Sequence, residues 1–316
     1  MSGAESSVAT TPAKQRNTIV RARRGGVRRR QGLGWLFIAP FGVVFVVFLI
    51  VPLGYAFYQS LFSQSLVAGT SFAGLSNYVK AFTDPDFLGG AVFVVVFSVV
   101  LIPIQMAISL AAALVLDTLT TKLARFSRLM IFVPYAIPAV VGALMWGFLY
   151  SPSFGPLSDL FALFHTSAPN LLSSHNIFGG LLNVVVWQWV GYYMIIIYAA
   201  LQGIDPSLYE AARLDGASAR QIALRVKVPL VTSALVLILV FALIGTLQFF
   251  TEPTVLTPQA NGSIGPAFTP NIYAYNLAFK FSQINYASAV SFALGIIVFI
   301  GVYIFLFLTR KKGSFL

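Results

Sequence analysis

The sequence predicts an all-α polytopic membrane protein: six transmembrane helices with both termini on the cytoplasmic side. Three observations predict it. Charged residues make up only 9% of the 316 and hydrophobic residues 58%, against about 25% charged in a soluble domain. Six stretches of roughly 20 mostly apolar residues, the length that crosses a bilayer, fall at 33–58, 90–116, 129–150, 179–203, 229–250 and 287–309, none with Asp, Glu, Lys or Arg in its interior. With the N-terminus inside, 18 of the 20 Lys/Arg lie on the cytoplasmic side, leaving Lys80 and Lys280 outside, as the positive-inside rule requires.

Each element follows in order. Residues 1–32 read as a basic, disordered cytoplasmic tail, with eight Lys/Arg between Lys14 and Arg30. Gly, Ser and Thr interleave with them and aromatics do not, which fits attraction to anionic lipid and not nucleic acid. The apolar stretch that follows is too long for a cleavable signal. Residues 33–312 then form one membrane domain. The first outer loop, 59–89, holds GLSNYVKAFTDPDF, a surface helix; the inner loop 117–128 holds Lys122, Arg125 and Arg128; the outer loop 151–178 holds His165 and His175, read as plain surface histidines. The outer loop 251–286 carries the turn signals TPQANGSIGP, and the chain ends near Arg310, Lys311 and Lys312. Pro40, Pro52, Pro103, Pro134 and Pro138 interrupt spans, and each frees backbone carbonyls that need local repair in a membrane. The Pro134-Tyr135-Ala136-Ile137-Pro138 cluster points to a working bend.

Several chemistries are excluded. With no cysteine there is no disulfide, thiolate metal site or cysteine nucleophile. No G-x-x-x-x-G-K-[ST], H-E-x-x-H or G-x-S-x-G is present, so the chain has no phosphate cradle or hydrolytic motif of its own. Val190-Gly191-Tyr192 sits inside a continuous apolar helix and is not a channel filter. The charge-free span interiors count against a secondary transporter or a channel subunit working without an ATPase partner.

One segment departs from the apolar pattern. Between Tyr209 and Pro229, six charges (Glu210, Arg213, Asp215, Arg220, Arg225, Lys227) lie between two spans. Asp205 caps and Pro206 opens a short helix. Asp215-Gly216 ends it, because glycine accepts left-handed geometry. Ser218 and Gln221 form a capping box for a second helix, and Pro229 marks entry into the fifth span. The positive-inside rule explains Arg220, Arg225 and Lys227. It does not explain Glu210, Ala211, Ala212, Asp215 and Gly216 at these intervals, which suit a rigid knob docking in a cleft on a soluble partner.

Glu210-Ala211-Ala212, three residues, Gly216, nine residues, then Val226-Lys227-Val228-Pro229 resembles the EAA loop of ABC importer permeases, with Val at two places where that pattern has other apolar residues. From about Gly34 onward, GLSNYVKAFTDPDF, FVPYAIPAVVGALMWGFLYSPSFGPL and LYEAARLDGAS resemble the MalF-like members of the carbohydrate-uptake branch. After Leu256-Thr257 the chain reads PQANG where those permeases read G-G-P. The resemblance implies a multi-pass subunit of the bacterial plasma (inner) membrane. A second, MalG-like permease, two ATPase subunits and an extracytoplasmic solute-binding protein are the implied partners, with no nucleic acid. ATP and magnesium would sit on the ATPase subunits, not on this chain. The coupling helices would span about 205–228, between the fourth and fifth transmembrane helices, with Glu210, Ala211, Ala212, Asp215, Gly216 and Arg220 at the ATPase contact.

A sugar needs hydrogen-bond partners and aromatic faces. Val185, Gln188, Trp189 and Tyr192 share one face of the fourth span; Ala242, Gly245, Thr246 and Phe249 share one face of the fifth. Tyr135 lies between two prolines of the third. These faces overlap the positions lining the sugar site in MalF-like permeases, where Tyr135 matches by residue type as well. Tyr135, Gln188, Trp189, Tyr192, Thr246 and Phe249 are therefore the expected pathway residues.

Overall fold

The computed structural model describes residues 26–65, 69–118, 122–153 and 155–310. Residues 1–25, most of the expected basic tail, lie outside them, as do Lys311 and Lys312. Two compact units are divided after Gly54. In the first, α1 (Gly26–Phe45) runs into a π-helical turn, Val46–Ile50, and the start of α2 (Val51–Ser60). The Val51 N–H donates five residues back, to Val46 O. Pro52 supplies the reason: its ring would strike the carbonyl four residues back, on Phe48, and a widened turn moves that carbonyl aside.

The second unit begins with the rest of α2 and a hairpin, β1 (Phe62–Ser65) and β2 (Gly69–Phe72), paired antiparallel with Phe62 opposite Phe72. This hairpin amends the all-α expectation. The helix α3 (Ser76–Thr83) matches the predicted surface helix, and Asn77 Nδ2 ties it to Ser60 O (2.9 Å) and Phe62 O (2.8 Å). Capped by Asp84 and opened by Pro85, α4 (Pro85–Asp117) follows. At 1.5 Å per residue its 33 residues reach about 50 Å, longer than the bilayer core. Burial raises the Asp84 carboxyl, but hydroxyls from Tyr286 and Tyr273 and two backbone N–H groups outweigh it and hold the group below the usual carboxylate range.

The predicted third span is broken. α5 (Lys122–Ala136) and α6 (Ala139–Leu149) meet at 98°. Pro138 pushes Ile137 out of helical geometry, and Pro138 itself takes φ −52, ψ 134. After α7 (Pro156–Leu163) comes α8 (Ile177–Gln202), which packs against α4 and α5. Next are α9 (Pro206–Leu214), α10 (Ala219–Ile222), a second π turn (Ala223–Lys227) and α11 (Val228–Leu230), leading into α12 (Thr232–Leu247). The second π turn stands where the first did, just ahead of a proline: Pro229 faces the Arg225 carbonyl across it. After a short break come α13 (Thr251–Leu256), a 3₁₀ turn, α14 (Pro270–Phe279) and α15 (Ile284–Arg310).

Among the described residues, five helices are long and apolar enough to cross a membrane, or six if the bent pair counts as one span. The centre of this unit is α4 against α8, with Phe97, Leu101, Leu181, Val184, Met194 and Ile197 essentially closed to solvent. Lipid is as apolar as these side chains, so close packing and polar bonds hold the pair and not water exclusion. Gln105 Nε2 donates to Val185 O (3.2 Å) and Ser109 Oγ to Val190 O (3.0 Å). Gly191 lets α5 touch α8: a Cβ there would lie 1.9 Å from Ile131 O. The V-G-Y triplet thus contains a helix-contact glycine.

Candidate functional site

Two places carry the chemistry. The first is the hairpin α9–α10. Asp205 Oδ1 accepts from Ser207 N–H (2.9 Å), and that bond holds the exposed carboxylate below its usual range. Gly216 takes φ +81 and terminates α9, with Ala217 N–H reaching Ala212 O (2.9 Å), the wrapped end that a left-handed residue creates. The Ser218–Gln221 capping box is complete, with Ser218 N–H to Gln221 Oε1 at 2.7 Å and Gln221 N–H to Ser218 Oγ at 3.3 Å. Glu210, Ala211, Asp215, Gly216 and Arg220 are exposed, Ala212 half-buried. Leu214 beside them is 90% exposed and Leu208 and Leu224 are open as well, so the hairpin presents apolar and charged groups together.

The hairpin is tied to the bundle by a polar cluster that sequence reasoning missed. The Lys227 ammonium pairs with Asp117 at the end of α4, both side chains about nine-tenths buried. Gln202 Nε2, at the end of α8, donates to the other Asp117 oxygen at 2.7 Å. Lys227 also lies 4.7 Å from the centre of the Tyr209 ring on α9. Burial and the nearby Asp117 charge push the Tyr209 hydroxyl up. The positive-inside rule accounts for Lys227 as one more cytoplasmic charge, but its partner is 110 residues away in sequence, and no local pattern marks it.

The second place is a cavity of about 210 Å³ among α4, α8, α12 and α13, lined by Gln105, Trp189, Tyr193, Thr246, Phe249 and Glu252 among others, room for about seven waters. Of the six expected pathway residues, Trp189, Thr246 and Phe249 line it. Phe249 stacks on Phe97 at 5.0 Å, and Thr246 Oγ donates to Ala242 O (2.6 Å), leaving its lone pairs available. Tyr135 and Tyr192 stand behind the wall: they stack at 4.3 Å, and Tyr135 meets Trp189 edge-on at 5.4 Å.

Gln188 is elsewhere. Its Nε2 donates to Ile137 O (3.2 Å), the carbonyl left over by the Pro138 break, so it performs the backbone repair that a proline in a membrane demands. Its Oε1 is buried without a partner among the described residues.

Glu252 is the main omission of sequence reasoning. The sequence places it in the outer loop 251–286, which leaves the span interiors free of charge. The candidate span Thr232–Gln259, interrupted by the break between α12 and α13, extends past it, and the folded chain buries it to 7% exposure. Its signal was the run of apolar residues resuming at Pro253-Thr254-Val255-Leu256, beyond the charge where the predicted span stopped. Among the described residues no cluster of His, Cys, Asp or Glu could hold a metal.

Comparison with known proteins gives a consistent result. A family model described as "binding-protein-dependent transport system inner membrane component" matches residues 106–311. The lactose transport system permease protein LacF of Rhizobium radiobacter is 28% identical over 282 residues, covering 88% of this chain and 94% of its own. The probable ABC transporter permease protein YurN of Bacillus subtilis (strain 168) is 32% identical over 270 residues, 84% of this chain and 91% of its own. A crystallised bacterial alginate ABC transporter, in complex with alginate pentasaccharide-bound periplasmic protein, includes a chain that superposes with a TM-score of 0.79 at 20% identity, over 92% of this chain and 98% of that one.

Proposed function

The chain belongs to the family of binding-protein-dependent transport system inner membrane components, and from that premise we propose that it is a permease subunit of an ATP-driven ABC importer that carries a di- or oligosaccharide across the bacterial inner membrane. Relatives named for lactose and for trehalose and maltose support the sugar class. The termini and the hairpin α9–α10 lie in the cytoplasm, in keeping with the basic residues. A separate ATPase subunit, one of two that hold ATP and magnesium, grips Glu210, Ala211, Ala212, Asp215, Gly216 and Arg220. A second permease subunit completes the pathway, and an extracytoplasmic binding protein delivers the sugar.

The observation that carries this reading is the hairpin's connection. Its second helix passes through the π turn and α11 into α12 with one non-helical residue between them, Val231 (φ −95, ψ 10), which is bridged on both sides: Val231 N–H donates to Lys227 O (3.1 Å) and Leu235 N–H to Val231 O (3.1 Å). α12 carries Thr246 to the cavity, and Lys227 hands the same movement to α4 through Asp117. Force on the hairpin therefore has a short route, through one turn residue, to the residues that touch sugar: Trp189, Thr246 and Phe249, with Tyr135 and Tyr192 behind the wall. Proline cannot adopt φ +81, so Gly216→Pro in the assembled complex breaks the joint. Uptake and ATPase stimulation by loaded binding protein should both fall at least tenfold; undiminished coupling would remove the hairpin from the mechanism.

Buried Glu252 favours one other reading, a proton-coupled secondary transporter. Sugar accumulation that continues without ATPase subunits and tracks a pH gradient would establish it.

A further inference from the structure

Nothing in the transport scheme above uses Glu252. Among the described residues it is the only acidic side chain lining the cavity and its carboxylate forms no ion pair, and it is 7% exposed. An ionised carboxylate is removed from water only at a heavy cost unless something compensates it, and an ionisable residue inside a membrane bundle marks function by default. The cavity around it shows what would compensate. Trp189 and Tyr193 stack at 5.9 Å with 28° between their planes. Gln105, Gln248 and Thr246 supply further polar atoms. A ring with hydroxyls at its edge and C–H groups on its face meets every one of these surfaces.

We propose that Glu252 anchors a neutral polyhydroxyl ring in this cavity by accepting hydrogen bonds from two adjacent hydroxyls, and that its charge turns away sugars bearing phosphate or carboxylate. Hydroxyl-to-carboxylate bonds are charge-assisted and stronger than neutral ones. A second negative charge brought into the same cavity, close to the buried carboxylate, is repelled more strongly than it would be in open water. The inference rests on the sugar-importer reading and names the class of sugar.

The test is equilibrium dialysis of the purified complex of both permeases and both ATPase subunits, without binding protein. The probes are radiolabelled trehalose, lactose and maltose and the 6-phosphates of trehalose and maltose. Wild type is expected to bind at least one neutral disaccharide, and at least tenfold tighter than its phosphate where that is measured. Glu252→Gln keeps the shape and removes the charge; it should weaken neutral binding about tenfold and narrow the gap to the phosphate, with the complex still eluting intact. Equal wild-type binding of sugar and sugar phosphate would overturn the inference without any variant. So would Glu252→Gln binding like wild type.

Trp189→Ala separates the two readings. If it abolishes sugar binding while Glu252→Gln does not, the cavity remains the sugar site and only the anchor fails. If wild type binds none of the sugars yet drives ATP-dependent uptake with its binding protein, the anchor fails and the importer stands. Uptake without ATP would remove the importer reading itself.

Discussion

At the scale of single residues, the Lys227–Asp117 pair is the clearest case of chemistry hidden by sequence distance. Each charge is tolerated because the other is there. Lys227→Met leaves Asp117 buried alone and should cost about 3–5 kcal/mol, read as a lower melting temperature of the complex. Adding Asp117→Leu should recover most of that loss, since no charge is then stranded. Simple additivity of the two losses would show that the residues act independently. Gly216 is the opposite case, legible from the sequence because its cause is local: a helix ending in Asp-Gly before a Ser-x-x-Gln box has few alternatives. Open space surrounds the position where a Cβ would sit. The penalty of Gly216→Ala is therefore conformational, about 1–2 kcal/mol, and not steric.

Elements were legible where composition or caps specify them, and obscure where a neighbour decides. The six apolar stretches stood out by length. Their ends did not, because counting hydropathy stops at the first charge, and a buried Glu252 looks the same in sequence as an exposed one. The Pro134–Pro138 cluster announced a bend but not its 98° size, nor that Gln188 would be spent on Ile137 O. Replacing Gln188 with Leu leaves that carbonyl unpaired and should cost about 1–3 kcal/mol of stability, with sugar binding by the folded remainder little changed. A binding loss at unchanged melting temperature would return Gln188 to the substrate pathway. The two π turns have a common cause that can be read in advance: each ends two residues before a proline, Pro52 or Pro229.

At the scale of the molecule, orientation was read from charge alone, and the absence of cysteine makes it simple to measure. Ser218→Cys in the hairpin should react with a membrane-impermeant maleimide only in inside-out vesicles, and Gln64→Cys in β1 only in intact, right-side-out ones. Labelling of Ser218→Cys from outside would invert the topology and with it the proposed ATPase contact. The cavity was half legible: helical periodicity puts residues of α8 and of α12 that line it on shared faces, while the contributions of α4 and α13 needed the folded chain, because apolar helices carry no stripe that says which side meets which.

The short passage from α10 into α12, with a single turn residue at Val231, gives the protein a lever. With 16 residues, α12 is about 24 Å long, so a tilt of about 5° at its cytoplasmic end swings the tip by about 2 Å. That is nearly the width of a water molecule, delivered beside Thr246 with only the Val231 turn between hairpin and arm. A small shift of the hairpin is thus geared to open or shut a gap at the far end, and stiffness along this one arm sets how little motion at the hairpin suffices.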